Sequence, residues 1–297
     1  MSNCKLCPRK CDIDRSVSRG FCRVGDKLTA AKACLHFWEE PCIAGYGGAG
    51  TVFFSGCNLG CIYCQNIDIS RGGTGMEITV DRLRGIFDEL IYQGADTIDL
   101  VTPTHYSDII AEALRAEKLP VPVVYNTGAY ETVEALRNLE GLIDIYLPDY
   151  KYADKELAEK LSFAPDYPET AFEAIKEMYR QTGDYRLDGE GMMKSGVMVR
   201  HLVLPGHIDN TLDCIDRLTA VFDDTNILFS LMSQYTPPKK PLTYPELNRR
   251  LTGDEYDEAV DYLYLCGIEN GFVQELSSAK EEYTPDFDLT GIAESDS

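Results

Sequence analysis

The sequence has no long hydrophobic run and few basic residues. No apolar stretch approaches the roughly 20 residues that a helix needs to cross a bilayer, and the N-terminus lacks a signal-peptide pattern. We therefore expect a cytoplasmic protein that does not enter a membrane. The 28 Lys and Arg residues are outnumbered by 49 Asp and Glu residues, for a formal net charge of -21. No Lys/Arg cluster interrupts this negative charge, so nucleic acid is not an expected partner.

Cysteine, by contrast, is abundant. Eleven cysteines are many for a cytoplasmic chain, in which grouped thiols bind metals or do chemistry more often than they form disulfides. Four of the eleven are scattered, as is usual for small buried apolar residues. The other seven form two groups: Cys4, Cys7, Cys11 and Cys22, and then Cys57, Cys61 and Cys64.

Short apolar runs alternate with amphipathic helical patterns through most of the chain, which predicts strand and helix units around a parallel sheet. One helix carries Leu83, Ile86, Phe87 and Leu90 on one face, and Gly94 is placed to end it. Six units are too few for a closed eight-stranded barrel. We predict an α/β fold with a partial TIM-like (β/α)6 barrel, and an open doubly wound sheet is the alternative. The predicted strands are 51–54, 97–101, 121–125, 143–147, 197–204 and 226–232.

Three segments follow from these patterns. Residues 1–45 are predicted to form a Cys-rich metal-binding module, and residues 46–276 the barrel. Residues 277–297 form an acidic, weakly patterned tail, whose outer part we expect to be mobile.

The second cysteine group directly follows the first predicted strand, in the sequence S-G-C-N-L-G-C-I-Y-C-Q-N. Three thiolates in so short a loop can converge on one [4Fe-4S] cluster, which normally takes four cysteines, so one iron is left open for another ligand. A structural zinc site would want a fourth ligand, and a thioredoxin-like pair of Cys61 and Cys64 would leave Cys57 idle. Ligand count, spacing and position at a strand end favour the cluster.

The C-x3-C-x2-C spacing, with Tyr63 before the last cysteine, resembles the signature of the radical S-adenosylmethionine (SAM) superfamily. This resemblance implies a cluster whose open iron chelates the amino and carboxylate groups of SAM. It also implies reductive cleavage of SAM to a 5'-deoxyadenosyl radical, with a flavodoxin or ferredoxin-type protein as electron donor. Since the cofactors do the difficult chemistry and the protein positions them, no catalytic residue is assigned.

Residues 51–274 further resemble the activating enzymes of glycyl-radical enzymes, typified by the activator of pyruvate formate-lyase. This resemblance implies a partner protein as substrate and SAM-binding side chains at successive strand ends. The T-P-T-H segment stands where the family has a glycine-rich turn, although its glycines are absent here. Any one of these polar residues could instead form a salt bridge or a strand-end cap. The implied cofactor-binding residues are Tyr63, Thr102, Thr104, His105, Asn126, Asp149, Lys151, Arg200 and His201.

The first cysteine group reads C-x2-C-x3-C-x10-C, in a segment too short to have its own core. A bound metal would supply the missing stability. Zinc and a second iron–sulfur cluster both suit four thiolates, and reduced structural cysteines are the alternative. The typical activator of pyruvate formate-lyase lacks such a module.

The glycines Gly45, Gly47 and Gly50 formally match the G-x-G-x-x-G pattern of dinucleotide-binding folds. They precede a strand, however, whereas the fingerprint must follow a strand and open a helix. We expect instead a flexible turn packed near the cluster.

Three functions are compatible with the sequence. The strand-end residues favour an activase that abstracts hydrogen from a glycine of a partner enzyme. The N-terminal module favours a radical enzyme that acts on another protein or on a small molecule. The number of cysteines also allows a non-enzymatic iron–sulfur or zinc scaffold, which would not cleave SAM.

Overall fold

The apolar runs alternate with helices because each strand buries its side chains against a covering helix. The computed structural model describes residues 4–276 and 285–293. The strands in these ranges are β1 (Thr29–His36), β2 (Ala49–Phe54), β3 (Met76–Glu77), β4 (Thr97–Val101), β5 (Val123–Thr127), β6 (Ile145–Pro148), β7 (Arg186–Leu187), β8 (Met193–Leu202), β9 (Leu228–Met232) and β10 (Gly271–Val273). The α-helices are α1 (Pro41–Ala44), α2 (Ile67–Ser70), α3 (Val80–Tyr92), α4 (Ser107–Ala116), α5 (Val133–Arg137), α6 (Lys155–Ser162), α7 (Tyr167–Thr182), α8 (Ile208–Thr219) and α9 (Gly253–Leu265).

The main sheet is parallel, and its strands lie side by side in chain order. The order is β2, β4, β5, β6, β8, β9 and β10, and each neighbouring pair is parallel. Antiparallel strands complete the sheet: β1 pairs with β2, β3 with β1, and β7 with β8. A doubly wound sheet reverses its strand order at a switch point, and this sheet does not.

The helices form one layer. Contacts join α3 to α4, α4 to α5, α5 to α7 and α8 to α9, so successive helices are neighbours on one face. This arrangement is that of a barrel wall, whereas a doubly wound sheet carries helices on both faces. The predicted α/β fold with a partial TIM-like barrel is therefore confirmed; all six predicted strands are present, 97–101 with the bounds as predicted and the other five with shifted ends. Sequence patterns missed the other four strands, of which β1 is rich in alanine and β3, β7 and β10 are very short.

Helix α3 shows how the pattern produces the packing. The Thr79 side chain caps its first turn by accepting a hydrogen bond from the Arg82 N–H, 3.1 Å away. The predicted stripe of Leu83, Ile86, Phe87 and Leu90 is buried in the main core. Burial of each such side chain contributes about 1.5–3 kcal/mol, so the helix is held mainly by its contact with the rest of the fold.

The described parts of both chain ends pack against the barrel. Residues 4–28 contain no helix or strand. The segment 1–45, predicted as the Cys-rich module, also contains β1 and α1. In the described part of the tail, the Leu289 N–H donates to the Ala31 carbonyl at 3.1 Å, and Ile292 is fully buried. Residues 285–293 are thus docked on β1, and the outer residues 294–297, predicted to be mobile, lie outside the described ranges. Within those ranges, no helix has the length and apolarity to span a membrane.

Candidate active site

The three-cysteine loop begins where β2 ends, at the carboxyl edge of the parallel sheet. Gly56 turns the chain with a φ of +86°, and a side chain there would collide with the Cys22 carbonyl. The Cys57 N–H donates to the same carbonyl at 3.3 Å, and the Cys64 N–H donates to the Cys61 carbonyl at 3.2 Å. Backbone contacts therefore fix both ends of the loop.

The thiols of this loop are close enough to influence one another. Burial, with a smaller contribution from Cys61 and Cys64, raises the pKa of Cys57 to about 12. Thiolates in this setting need positive charge, which the irons of a cluster would supply. No three Cys, His, Asp or Glu side chains in the described ranges are placed to hold a single metal ion. A [4Fe-4S] cluster, in contrast, takes its ligands at separate irons, and this donor set of three thiols fits one.

Lys151 brings a positive charge to the thiols from the end of β6. Its Nζ lies 2.6 Å from Asp149 Oδ2, and Asp149 Oδ1 accepts from Arg200 Nε at 2.8 Å. Burial would raise the pKa of Asp149, but Arg200 and Lys151 together hold it below its ordinary value. Burial likewise opposes the charge of Lys151, and its pKa is nevertheless raised, by Asp149 and then by Cys61. Both groups are therefore ionised at neutral pH.

Arg200 continues this network into the barrel interior. Its guanidinium donates to Glu39 Oε2 at 2.9 Å and to Asn126 Oδ1 at 2.7 Å. The Asn126 amide in turn lies 3.4 Å from Asp99 Oδ2, while the buried Asp99 Oδ1 has no hydrogen-bond partner. Glu39 follows β1 and so enters from the opposite, amino end of the parallel strands, because β1 is antiparallel to β2. The network thus runs through the barrel interior.

A buried carboxyl group joins the ends of β4 and β5. Glu131 Oε1 accepts hydrogen bonds from Thr104 at 2.5 Å and from Thr127 at 2.6 Å. Burial raises the pKa of Glu131 to about 7, although both hydroxyls favour the ionised form. Glu131 is also close enough to Cys7 to raise the pKa of that thiol. It therefore lies between the strand ends and the first cysteine group.

Neither predicted histidine is exposed. His105 Nε2 lies 2.8 Å from the Ser55 carbonyl, whereas the buried Nδ1 has no partner. His201 uses both ring nitrogens, with the Tyr150 carbonyl at 2.7 Å and Thr211 Oγ1 at 3.0 Å. Burial lowers the pKa of each histidine to about 4, so both are neutral at pH 7. His201 therefore offers no free ring nitrogen to a cofactor.

The first cysteine group lies beside the three-cysteine loop. Burial raises the pKa of Cys22, and Cys4 and Cys11 are near enough to raise it further. Arg9, between Cys7 and Cys11 in the chain, donates to the Asn58 carbonyl at 2.8 Å. The ring of Phe21 is stacked between two guanidinium groups, with centroid distances of 3.8 Å to Arg9 and 4.5 Å to Arg71.

The structure brings most of the predicted residues to one edge of the sheet, where Lys151, Asp149, Arg200 and Asn126 form one network. Thr102 has a left-handed φ of +60° at the end of β4, and its N–H donates to the Asn126 carbonyl at 2.8 Å. The residues of this site that sequence reasoning missed are Arg9, Glu39, Asp99, Thr127 and Glu131. Only Asp99 gave a signal, as a charged residue inside an apolar strand.

The turn that contains Gly45 and Gly47 is not near the three-cysteine loop. The expectation that this turn packs near the cluster was therefore wrong. The Gly47 N–H donates to Asp96 Oδ2 at 2.7 Å, at the start of β4. Gly50 lies within β2 itself. The turn therefore sits at the amino end of the strands, because it precedes β2, whereas the cysteine loop follows it.

Known proteins share both sequence and fold with this chain. An uncharacterized protein of Methanocaldococcus jannaschii, MJ0674, is 31% identical over 274 residues, which cover 87% of this chain and 73% of that protein. Streptococcus suis SuiB has a similar fold in its structures with S-adenosylmethionine (TM-score 0.52, 14% identity) and with the precursor peptide SuiA (TM-score 0.51, 15% identity). These matches cover 76% and 75% of this chain, and about half of the SuiB chain, 50% and 48%. Residues 51–218, more than half of the chain, match the Radical SAM superfamily. The chain therefore belongs to the radical SAM superfamily, which implies a [4Fe-4S] cluster and SAM as its cofactors.

Proposed function

We propose that Cys57, Cys61 and Cys64 hold a [4Fe-4S] cluster at which SAM is reductively cleaved. The observation that carries this proposal is the position of the three thiols at the carboxyl end of β2, beside the ionised Lys151. When bound, the cluster and SAM supply an electron and a 5'-deoxyadenosyl radical. The protein's own task is to bind and orient these groups.

The side chains at the strand ends suit the polar parts of SAM. Lys151 offers a cation for the carboxylate, and its ion pair with Asp149 limits the freedom of its side chain. Asn126 and the Thr102 backbone lie at the adjacent strand ends, where the resemblance to glycyl-radical activators places the ribose and amino contacts. A zwitterionic amino acid and a sugar need such matched donors and acceptors in an otherwise apolar cleft.

Anaerobic reconstitution followed by a cleavage assay tests this proposal. Reduced wild-type protein should bind about four irons at this loop and release methionine and 5'-deoxyadenosine from SAM. Absence of SAM cleavage by a protein that holds iron would favour the scaffold function. Comparison of dithionite with a flavodoxin or a ferredoxin as reductant tests the implied electron donor.

For the substrate, we infer a glycyl-radical enzyme, by resemblance at the strand ends. Reduced, SAM-loaded protein mixed with a candidate partner should give the doublet of an organic glycyl radical in its electron paramagnetic resonance (EPR) spectrum. The Cys61→Ala variant is the control and should give no doublet. Absence of the doublet across all candidate partners would contradict an activase.

A second candidate is a radical enzyme that acts on another protein or on a small molecule. The N-terminal module favours it, because typical activators of pyruvate formate-lyase lack one. A peptide is one possible substrate class, as SuiB has been solved with its precursor peptide. Fractions of a cell extract that stimulate 5'-deoxyadenosine release would separate the two candidates by the size of the active component.

We also infer that the segment 1–45 is a metal-binding module that precedes the barrel at 46–276 and the tail at 277–297. Neighbouring cysteines of this group help to raise the pKa values of Cys7 and Cys22, which supports a shared site for zinc or a second cluster; since no three described side chains are placed to hold a single ion, a cluster fits better than zinc. Metal analysis of the wild type against Cys57→Ala identifies it. Zinc or iron that remains in the variant belongs to the module, and its absence would leave the four cysteines as reduced structural residues.

A further inference from the structure

One hydroxyl group lies against a thiol of the cluster loop. Ser162, the last residue of α6, places its Oγ 3.0 Å from Cys61 Sγ, in a fully buried position. This contact joins residues 101 positions apart in the chain, so it exists only in the folded protein. Cys64 has a longer contact of the same kind, with Ser70 Oγ 3.5 Å from its sulfur.

Ser162 is the end of a buried chain of hydroxyls. Its Oγ lies 2.7 Å from Tyr152 Oη, which lies 2.7 Å from Tyr63 Oη. A thiolate that binds iron has no proton, so Ser162 must donate to Cys61. Ser162 then has no second proton for Tyr152, so Tyr152 donates to Ser162 and Tyr63 donates to Tyr152. Ligation of Cys61 therefore orients all three hydroxyls toward the sulfur, and each bond polarises the next.

The backbone around Ser162 is held by the N-terminal module. Arg9 donates to the Ser162 carbonyl at 3.0 Å and to the Phe163 carbonyl, while its Nε donates to Asn58 in the cysteine loop. Phe163 ends α6 in the left-handed conformation, with a φ of +55°. A single guanidinium thus joins the end of α6 to the loop that Ser162 contacts.

We propose that Ser162, fixed by Arg9 and polarised by Tyr152 and Tyr63, is a positioning residue that sets the reduction potential of the three-cysteine cluster. A hydrogen bond to a ligand sulfur stabilises the reduced cluster more than the oxidised one, because the reduced cluster carries more negative charge. The donor chain therefore raises the potential. This inference rests on the proposed function, since it requires the cluster at Cys57, Cys61 and Cys64.

The experiment is a redox titration of the reconstituted full-length protein, followed by the EPR signal that changes when SAM is added. This response to SAM identifies the three-cysteine cluster and separates it from any metal of the module. Ser162→Ala should disfavour reduction about tenfold, which is a potential about 59 mV lower for a one-electron couple. Tyr152→Phe should give a smaller shift of the same sign, because Ser162 still donates.

Ser70→Ala is the matched control. It removes a serine hydroxyl from another cysteine of the same cluster, at the longer distance and with no tyrosine hydroxyl of the described residues hydrogen-bonded to it, and its shift should be smaller than that of Ser162→Ala. Wild-type potentials in both Ser162→Ala and Tyr152→Phe, in proteins whose signals still respond to SAM, would overturn this inference and leave the proposed function intact. If Ser162→Ala loses its iron, Tyr152→Phe alone decides. A wild type without a SAM-responsive signal would overturn both proposals.

Discussion

The two cysteine groups are held in different ways. Cys57, Cys61 and Cys64 follow β2, which lies between β1 and β4 in the sheet, so their loop takes its position from the core. The four N-terminal cysteines lie in a segment without helix or strand in residues 4–28, and both side-chain and backbone contacts attach it to the barrel. The comparison teaches that a site at a strand end is positioned by the sheet, whereas the module is positioned by loop contacts and, in our proposal, by a bound metal.

The contacts that attach the module are both apolar and polar: Cys22, Val24 and Leu28 are buried in the main core, and hydrogen bonds reach the barrel. Arg15 donates to the His105 carbonyl of the barrel at 2.7 Å and, within the segment itself, to the Gly25 carbonyl at 2.8 Å. Arg71 donates to the Phe21 carbonyl at 2.7 Å, and Thr132 donates to the Leu6 carbonyl at 3.2 Å. Each such hydrogen bond contributes about 0.5–1.5 kcal/mol net, in addition to the burial of Val24 and Leu28 in the core.

Loss of a thiol at the strand end should have the largest effect. SAM cleavage should fall to background in each of the variants Cys57→Ala, Cys61→Ala and Cys64→Ala. Each variant keeps only two of the three thiolates, and two are not enough to hold the cluster. The measurement is 5'-deoxyadenosine release by anaerobic, reconstituted protein. Cys266→Ala, at the end of α9, is the control and should retain wild-type activity. An equal loss of SAM cleavage in this variant would contradict the prediction.

Loss of a thiol in the module should lower the stability of the protein more than it affects the three-cysteine cluster. Cys22→Ala should release the metal of the module and lower the melting temperature by about 10 °C, because metal binding and folding of a segment without a core are coupled. The SAM-responsive EPR signal should remain. Its disappearance in Cys22→Ala, with Cys266→Ala unaffected, would mean that the two regions form a single unit.

On the barrel side, a buried ion pair can be compared with an exposed one. Asp149→Asn should lower the free energy of unfolding by about 3–5 kcal/mol, because Arg200 and Lys151 lose their shared carboxylate inside the protein. Glu173→Gln, which breaks an exposed pair with Lys176, should cost less than about 0.5 kcal/mol. Urea unfolding at neutral pH measures the free energy of unfolding of both variants. Similar decreases in the two variants would show that the buried ion pair stabilises the protein no more than the exposed one.

Glu131, between the two regions, should make stability depend on pH. Its folded pKa of about 7 is raised above the ordinary value of 4.5, so folding favours the protonated acid. Its contribution is complete below about pH 4.5 and is lost as the pH rises through 7. Glu131→Gln should therefore equal the wild type near pH 4.5 and exceed it by about 3 kcal/mol at pH 8. The exposed Glu134→Gln is the control, and parallel pH profiles for wild type and Glu131→Gln would contradict the prediction.

Local patterns were enough to predict the barrel units and the cluster loop. Apolar patterns indicate which face of a helix or strand is buried, and each pattern lies within a few neighbouring positions. One example is the stripe of Leu83, Ile86, Phe87 and Leu90. The C-x3-C-x2-C loop was readable for the same reason. The alanine-rich β1 has no comparable apolar pattern in the sequence. It is recognised as a strand only in the structure, through its pairing with β2.

The sequence by itself determined that a parallel α/β barrel places three thiols at a strand end, because hydrophobic periodicity and cysteine spacing are local properties. Only the tertiary structure decided which distant groups reach that site. Arg200 meets Glu39 across 161 positions, Arg9 meets Ser162 across 153, and Ser162 meets Cys61 across 101. Such pairs depend on strand order, register and the path of loops over the sheet, and no local pattern encodes them.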